Sequence, residues 1–184
     1  KYDGILLNLP SPSTLELNRY YTLEFFGEVF RSLNENGILA LSIPGSETYL
    51  SPELRALNMC LLRSLREIFP CVYVIPGEVN FILATGTTKT GPLLPERFMG
   101  RLQERKINTR FLTEFQIRLK LEAQRRKWLE DSLSRGGAVR VNRDENPSGL
   151  YYGIAYWNAQ FHPFLQIFWG RVGKLRLWHL ALPL

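Results

Sequence analysis

Lys1-Tyr2-Asp3-Gly4-Ile5-Leu6-Leu7-Asn8-Leu9-Pro10-Ser11-Pro12 opens the chain and decides how the rest is read. Gly4-Ile5-Leu6-Leu7 is a short unbroken apolar run, the pattern of a strand covered on both faces of a parallel sheet. Pro10 and Pro12 cannot continue a central strand, so the backbone leaves the sheet there. In an open α/β sheet, ligands bind in the crevice beyond the carboxyl ends of the strands. The stretch is therefore read as the edge of such a crevice, and the chain as starting in mid-domain.

Outward from it, Thr22 reads as a helix N-cap. Phe25, Phe26, Val29, Phe30 and Leu33 follow at three-and-four spacing, predicting a helix to about Asn34. Gly37 is read as the left-handed residue just past its end. Residues 38–43 form a second apolar strand, stopped by Pro44-Gly45. Ser51-Pro52-Glu53 then offers a capping hydroxyl, a proline at the first helical position and an acid in the first turn. Leu54, Leu57, Leu61, Leu65 and Ile68 mark that helix's buried stripe. Residues 71–75 and 80–84 read as a hairpin about the turn Pro76-Gly77-Glu78-Val79. Helix–strand alternation closing in a hairpin predicts an α/β fold, its sheet parallel but for one antiparallel strand near the edge.

Residues 85–95 read as a linker. Residues 96–133 are helical and charged but mixed in period. Phe115, Ile117, Leu119 and Leu121 alternate, whereas Leu112, Phe115 and Leu119 fit a helix, so the block is divided into two or three helices. Three units follow: a sheet domain at 1–86, a basic helical extension at 87–149 and an aromatic tail at 150–184.

The 184 residues carry a net charge of +6, and the surplus is local. Between Pro95 and Arg143 there are thirteen Lys or Arg against six Asp or Glu. Such a surface suits a polyanionic nucleotide, an anionic membrane or plain solvation. With no nucleic-acid fold motif beside it, direct DNA or RNA binding is not expected. Cys60 and Cys71 sit in apolar contexts and read as buried, reduced thiols. His162 and His179 have no neighbour at ligand spacing, so no metal is expected. Ser11 and Ser46 lack identifiable His and Asp partners, which speaks against serine hydrolase chemistry. Asn142 and Asp144 read as pins for the C-terminal segment through side-chain hydrogen bonds.

The tail holds Tyr151, Tyr152, Tyr156, Trp157, Phe161, Phe164, Phe168 and Trp169. Asn158, Gln160, His162, Pro163 and Gln166 interrupt it as a membrane span. It reads either as an interfacial helix or as a helix docked on the domain. Arg171, Lys174 and Arg176 precede an apolar run at 177–184, and basic residues before a span face the cytoplasm. Localisation is accordingly expected to be cytoplasmic or at the cytoplasmic face of the inner membrane.

The order strand, Pro-rich loop, helix, strand, helix, hairpin resembles the C-terminal half of a class I methyltransferase-like Rossmann fold. More specifically, Tyr2-Asp3 before the strand, the Pro loop and Tyr20-Tyr21-Thr22-Leu23-Glu24-Phe25-Phe26 resemble the spermidine synthase (polyamine aminopropyltransferase) family. The resemblance runs through Leu33-Asn34-Glu35-Asn36-Gly37-Ile38-Leu39 to Gly86. Gln103-Glu104-Arg105-Lys106-Ile107-Asn108-Thr109, Asn142, Asp144, Pro147, Tyr151-Tyr152 and Trp157 are similar to the bacterial members fused to membrane-spanning segments.

This resemblance implies transfer of an aminopropyl group from decarboxylated S-adenosylmethionine to putrescine. The family places two acids after this strand in the pattern Asp-x-x-Asp-Pro. Here those positions are Asn8 and Ser11, which carry no charge and no base function near neutral pH. The resemblance also implies an acceptor pocket lined by Asn8, Ser11, Tyr20, Tyr21 and Glu78, with Leu9 and Pro10 toward the cofactor. The Gly-rich nucleoside loop is expected upstream of Lys1, so this segment alone is expected to bind no cofactor. Polyamine synthesis is thus doubtful on the sequence. The alternatives are a non-catalytic membrane-associated module, anchored by its tail, and an S-adenosylmethionine-dependent methyltransferase.

Overall fold

The structure, a computed structural model, describes residues 1–88 and 91–161. Strand β1 (Tyr2–Leu7) leads into a short helix α1 (Leu15–Asn18), a single 3₁₀ turn (Arg19–Tyr21) and helix α2 (Leu23–Ser32). Thr22 caps α2, its hydroxyl accepting from the Phe25 amide at 3.3 Å. Strand β2 (Leu33–Pro44) follows at once, then α3 (Pro52–Arg66), β3 (Cys71–Ile75) and β4 (Val79–Thr85). Ser51 caps α3 through the Leu54 amide, with Pro52 at its first turn.

The four strands lie in the order β1-β2-β4-β3. β1 and β2 are parallel, and β4 is antiparallel to both its neighbours. Three strands therefore share one direction, and β4 alone runs against them. This is the Rossmann-like half-domain expected from the sequence. The hairpin strand β4 is inserted between β2 and the edge strand β3, because α3 carries the chain over the position that β4 fills.

Pairing register sorts the side chains into two faces. Leu7, Leu41, Ile82 and Val74 form one cross-sheet row, and Ile5, Leu39, Ala84 and Val72 another. Phe26 and Val29 of α2 and Leu57, Leu61 and Leu65 of α3 close over these rows as the main core. The opposite face carries Leu6, Ala40, Leu83 and Tyr73. Helix α4 (Pro95–Glu104) lies against the β3–β4 end of that face, around a small cavity of about 150 Å³. At the β1 end Leu6 is 76% exposed. The apolar run of β1 is thus covered on one face, whereas its sequence alone predicts cover on both.

Gly37 also departs from expectation. It lies inside β2 with no positive φ, and a Cβ there would meet the Tyr2 carbonyl at 2.9 Å. Close approach of β1, rather than a helix end, is what this glycine permits.

The charged block resolves into α4, α5 (Glu114–Lys120) and α6 (Ala123–Ser134). Helix α7 (Ser148–Phe161) packs along α3, with Tyr152 and Tyr156 against the main core. A second apolar cluster of Leu50, Leu54 and Leu129 binds α6 to the start of α3. Among the described residues no helix is long and apolar enough to cross a membrane. The tail residues from His162 onward, with His179 and the basic run from Arg171 to Arg176, lie outside the described residues.

Candidate functional site at the strand ends

The carboxyl ends of β1, β2 and β3 open onto three loops: residues 8–12, 45–48 and 76–78. Tyr21 shapes the first of them. Its ring is wholly buried, and its hydroxyl donates to the carbonyls of Leu9 and Pro10 at 3.0 and 2.8 Å. Burial pushes the phenol up to about pKa 12, because the phenolate would lose its hydration there. Tyr21 therefore works as a fixed strut beneath the loop. Tyr20 is exposed and stacks edge-on against Phe25, with ring centres 5.4 Å apart. Asn8 and Pro10 are exposed, while Leu9 and Ser11 are half-buried.

The second and third loops are bound to each other. The Gly45 amide donates to the Glu78 carbonyl at 2.9 Å, and the Glu47 amide approaches a Glu78 carboxylate oxygen at 3.4 Å. Beneath them, buried Asn80 donates to Asn58, and Asn58 donates to the carbonyls of Pro44 and Leu54. The Gly77 amide completes this polar group by donating to Asn80. Each of these buried carboxamides is satisfied, so the two loops share one rigid support.

Glu47 and Glu78 thus stand together in the loops after β2 and β3, the strands that flank β4, and Arg125 of α6 pairs with Glu47. Sequence reasoning named Glu78 and missed Glu47. Its signal was its place two residues after the strand-stopping Pro44-Gly45. Arg125 gave no such signal, since α6 reaches Glu47 only through tertiary packing.

Helix α7 spans the crevice. Gly153 lies so close to Pro12 that an added Cβ would sit 2.2 Å from the Pro12 carbonyl oxygen. One turn on, Tyr156 feels the charge of Glu78. Its phenol is raised chiefly by burial and further by Glu78, against a hydrogen bond from Gln160 that lowers it. The loop after β1 therefore touches one turn of this helix, and the charge of the acid after β3 is felt at the next, about 5 Å along its axis.

Asn142 anchors that helix. Its carboxamide nitrogen donates to Asn18 Oδ1 at 3.0 Å and to the Tyr21 carbonyl at 2.9 Å. Its side-chain oxygen accepts from the Gly149 amide, and its own amide donates to Ser64 Oγ. The expected pinning role thus falls to Asn142. Asp144 is held less deeply, its amide donating to exposed Glu24.

Other features lie elsewhere. A cavity of about 590 Å³ sits between the end of α3 and α6, lined by Met59, Leu62, Arg63 and Leu133 among others. It is remote from the strand ends and holds none of the site residues. Cys60 is buried and Cys71 half-buried, and both are free thiols. Burial pushes the Cys60 thiol up to about 12 despite the opposing pull of Arg63. No group of three or more His, Cys, Asp or Glu is placed to hold a metal among the described residues.

No family model matches the chain. It is similar to a polyamine aminopropyltransferase of Pyrobaculum calidifontis. The two are 31% identical over 121 residues, which is 61% of this chain. The match takes in 40% of the relative, so the chain spans well under half of that protein's length.

Proposed function

We propose that this chain forms the acceptor side of a spermidine synthase-like transferase whose acceptor is less cationic than a diamine. The observation that carries the reading is the uncharged loop after β1, where Asn8 and Ser11 occupy the places that the resembling pattern gives to acids. Support comes from the partial similarity to a polyamine aminopropyltransferase and from the Rossmann-like strand order beneath the loop.

The chemistry follows from charge. An attacking amine must lose its proton to become nucleophilic, and a diamine needs anionic partners where water is partly excluded. A carboxamide and a hydroxyl orient an acceptor through hydrogen bonds, but neither takes up a proton near neutral pH. Glu47 already has Arg125 as its counterion. Glu78 is then the acid on this chain to hold a single ammonium group, with Asn8 and Ser11 steering the other end of the acceptor.

Decarboxylated S-adenosylmethionine is the donor in this proposal. The residues described here do not fit its nucleoside, since no Gly-x-Gly turn follows any of these strands and Leu9 and Pro10 offer only peptide groups. A kinship with the membrane-fused bacterial proteins, at the cytoplasmic face of the inner membrane, belongs to the same proposal. Its support is the aromatic content of residues 150–184.

The test is an assay of the whole protein with putrescine and decarboxylated S-adenosylmethionine beside an authentic synthase. Loss of a general base predicts kcat/KM lower by roughly a hundred-fold or more. Turnover equal to the synthase would overturn the reading.

A further inference from the structure

We propose that the α4–α5 face is a docking surface for anionic lipid bilayers, separate from the strand-end site and from the aromatic tail. Phe111 is 78% exposed and Phe115 is 72% exposed, and exposed apolar groups that gather into a patch rimmed by polar residues mark protein or membrane interaction sites. Ile107 and Leu119 are exposed as well, and Leu94 and Phe98 are partly exposed at the cavity between α4 and the sheet.

The helix geometry explains why. In α5 and at its C-cap, Ile117 and Leu121 are buried, whereas Phe115 and Leu119 stand exposed. Residues two apart on a helix are about 200° apart, so alternation of apolar residues places two apolar stripes on opposite sides. One stripe packs inward and the other is left in water. Thr113 and Gln116 form a capping box that fixes this short helix, so the exposure follows from a defined turn. Arg118 bonds Glu114 at 3.0 Å and Glu96 of α4 at 2.7 Å, holding α4 and α5 side by side.

Charge selects the occupant. From Leu94 to Lys120 there are seven Lys or Arg against three Asp or Glu. Arg105, Lys106, Arg110 and Lys120 are exposed in the same stretch of chain, and the Arg110 guanidinium lies 5.5 Å from the centre of the Phe111 ring. Exposed aromatic and aliphatic groups interspersed with cations along the chain match the boundary between acyl chains and anionic headgroups. A nucleic acid would use the cations and rings but would leave Leu119 and Ile107 in water. A second copy of the chain would bring like charge against like charge.

The test is co-sedimentation of the full 184-residue chain with vesicles of phosphatidylcholine, alone or mixed with phosphatidylserine. Binding is expected with the mixed vesicles only. Phe111→Ser with Phe115→Ser is expected to weaken it by about ten-fold or more. Arg105→Glu, Lys106→Glu and Arg110→Glu together should weaken it by at least about a hundred-fold, at roughly five-fold for each cation. All five positions are exposed, and an unchanged thermal melt will show that the variants fold. Phe164→Ser with Phe168→Ser, in the tail, is expected to leave the preference for phosphatidylserine intact. Binding that survives the Phe111/Phe115 changes but is lost with the tail changes would overturn the proposal. So would a dimer in sedimentation equilibrium, or tight single-stranded oligonucleotide binding, abolished by the same two serines.

Discussion

Asn142 Nδ2 donates to Asn18 Oδ1 across 3.0 Å and 124 residues of chain. The contact ties the segment before α7 to the turn beneath the β1 loop, so the helix over the crevice and the loop in it share one buried polar joint. Asn142→Ala would strand Asn18 Oδ1, the Tyr21 carbonyl and the Gly149 amide without partners. At about 1 to 3 kcal/mol for an unpaired buried group, with partial relaxation, the loss of stability is expected to be about 3 kcal/mol. Urea unfolding measures it. Asn142→Asp should cost as much, since a carboxylate can accept from Gly149 but donate to neither oxygen. A cost below about 0.5 kcal/mol for both variants would show that the joint is dispensable.

How much of this was legible depends on how local each rule is. Thr22 and Ser51-Pro52 announce their helices because a cap is a matter of three or four adjacent residues. The strand directions, one strand against the rest, followed from helix–strand alternation closing in a hairpin. The exposure of Leu6 did not, because burial on a second face depends on what lies across the sheet and not on the run itself. Phe115, Ile117, Leu119 and Leu121 looked contradictory as a sequence; on a helix, the same alternation means two opposed apolar stripes. At the site, the place of Asn8 and Ser11 could be read from the loop. The Glu47–Arg125 pair and the Asn18–Asn142 joint could not, since nothing near either residue names a partner so far along the chain.

Gly153 and Gly27 should respond to alanine with opposite signs. Both lie inside helices, where alanine is ordinarily favoured over glycine by about 0.5 to 1 kcal/mol. Around Gly27 a Cβ meets nothing within 4 Å, so Gly27→Ala is expected to stabilise by about that amount. At Gly153 the Cβ would lie 2.2 Å from the Pro12 carbonyl oxygen, and α7 must move off the loop. Gly153→Ala is expected to destabilise by about 1 to 3 kcal/mol. Thermal melts of the two variants give the comparison, and stabilisation by Gly153→Ala would refute the close seating of α7 on Pro12.

Alkaline pH should probe the strut under the loop. Unfolded, a tyrosine ionises near pH 10.0, while Tyr21 in the fold keeps its proton to about pH 12. Its contribution is therefore full below pH 10 and is lost as pH rises toward 12. A difference of that size corresponds to about 2 to 3 kcal/mol across the window. Cys60 adds to the same decline, from its ordinary 9.0 to about 12. Tyr21→Phe should lower stability at neutral pH by about 1 kcal/mol, the worth of its hydrogen bonds, and flatten the slope between pH 10 and 12. Cys60→Ala should leave Tyr21's part of the slope. An unaltered slope in Tyr21→Phe would mean that other groups govern alkaline unfolding.

Putting the acids back tests whether charge alone separates this loop from one that handles diamines. Asn8 is exposed and Ser11 half-buried, so aspartates at both positions can remain hydrated and should cost little stability. Tyr21 holds the loop through the carbonyls of Leu9 and Pro10, which both substitutions leave in place, so the loop should keep its shape. In the whole protein, Asn8→Asp with Ser11→Asp is expected to raise kcat/KM for putrescine by about ten-fold or more over the parent. KM should fall with either acid, which supplies a counterion, whereas kcat should rise only with the one that takes the proton. If the double variant gains nothing for putrescine yet folds as the parent does, the loop is not an acceptor site, and the reading built on Asn8 and Ser11 fails with it.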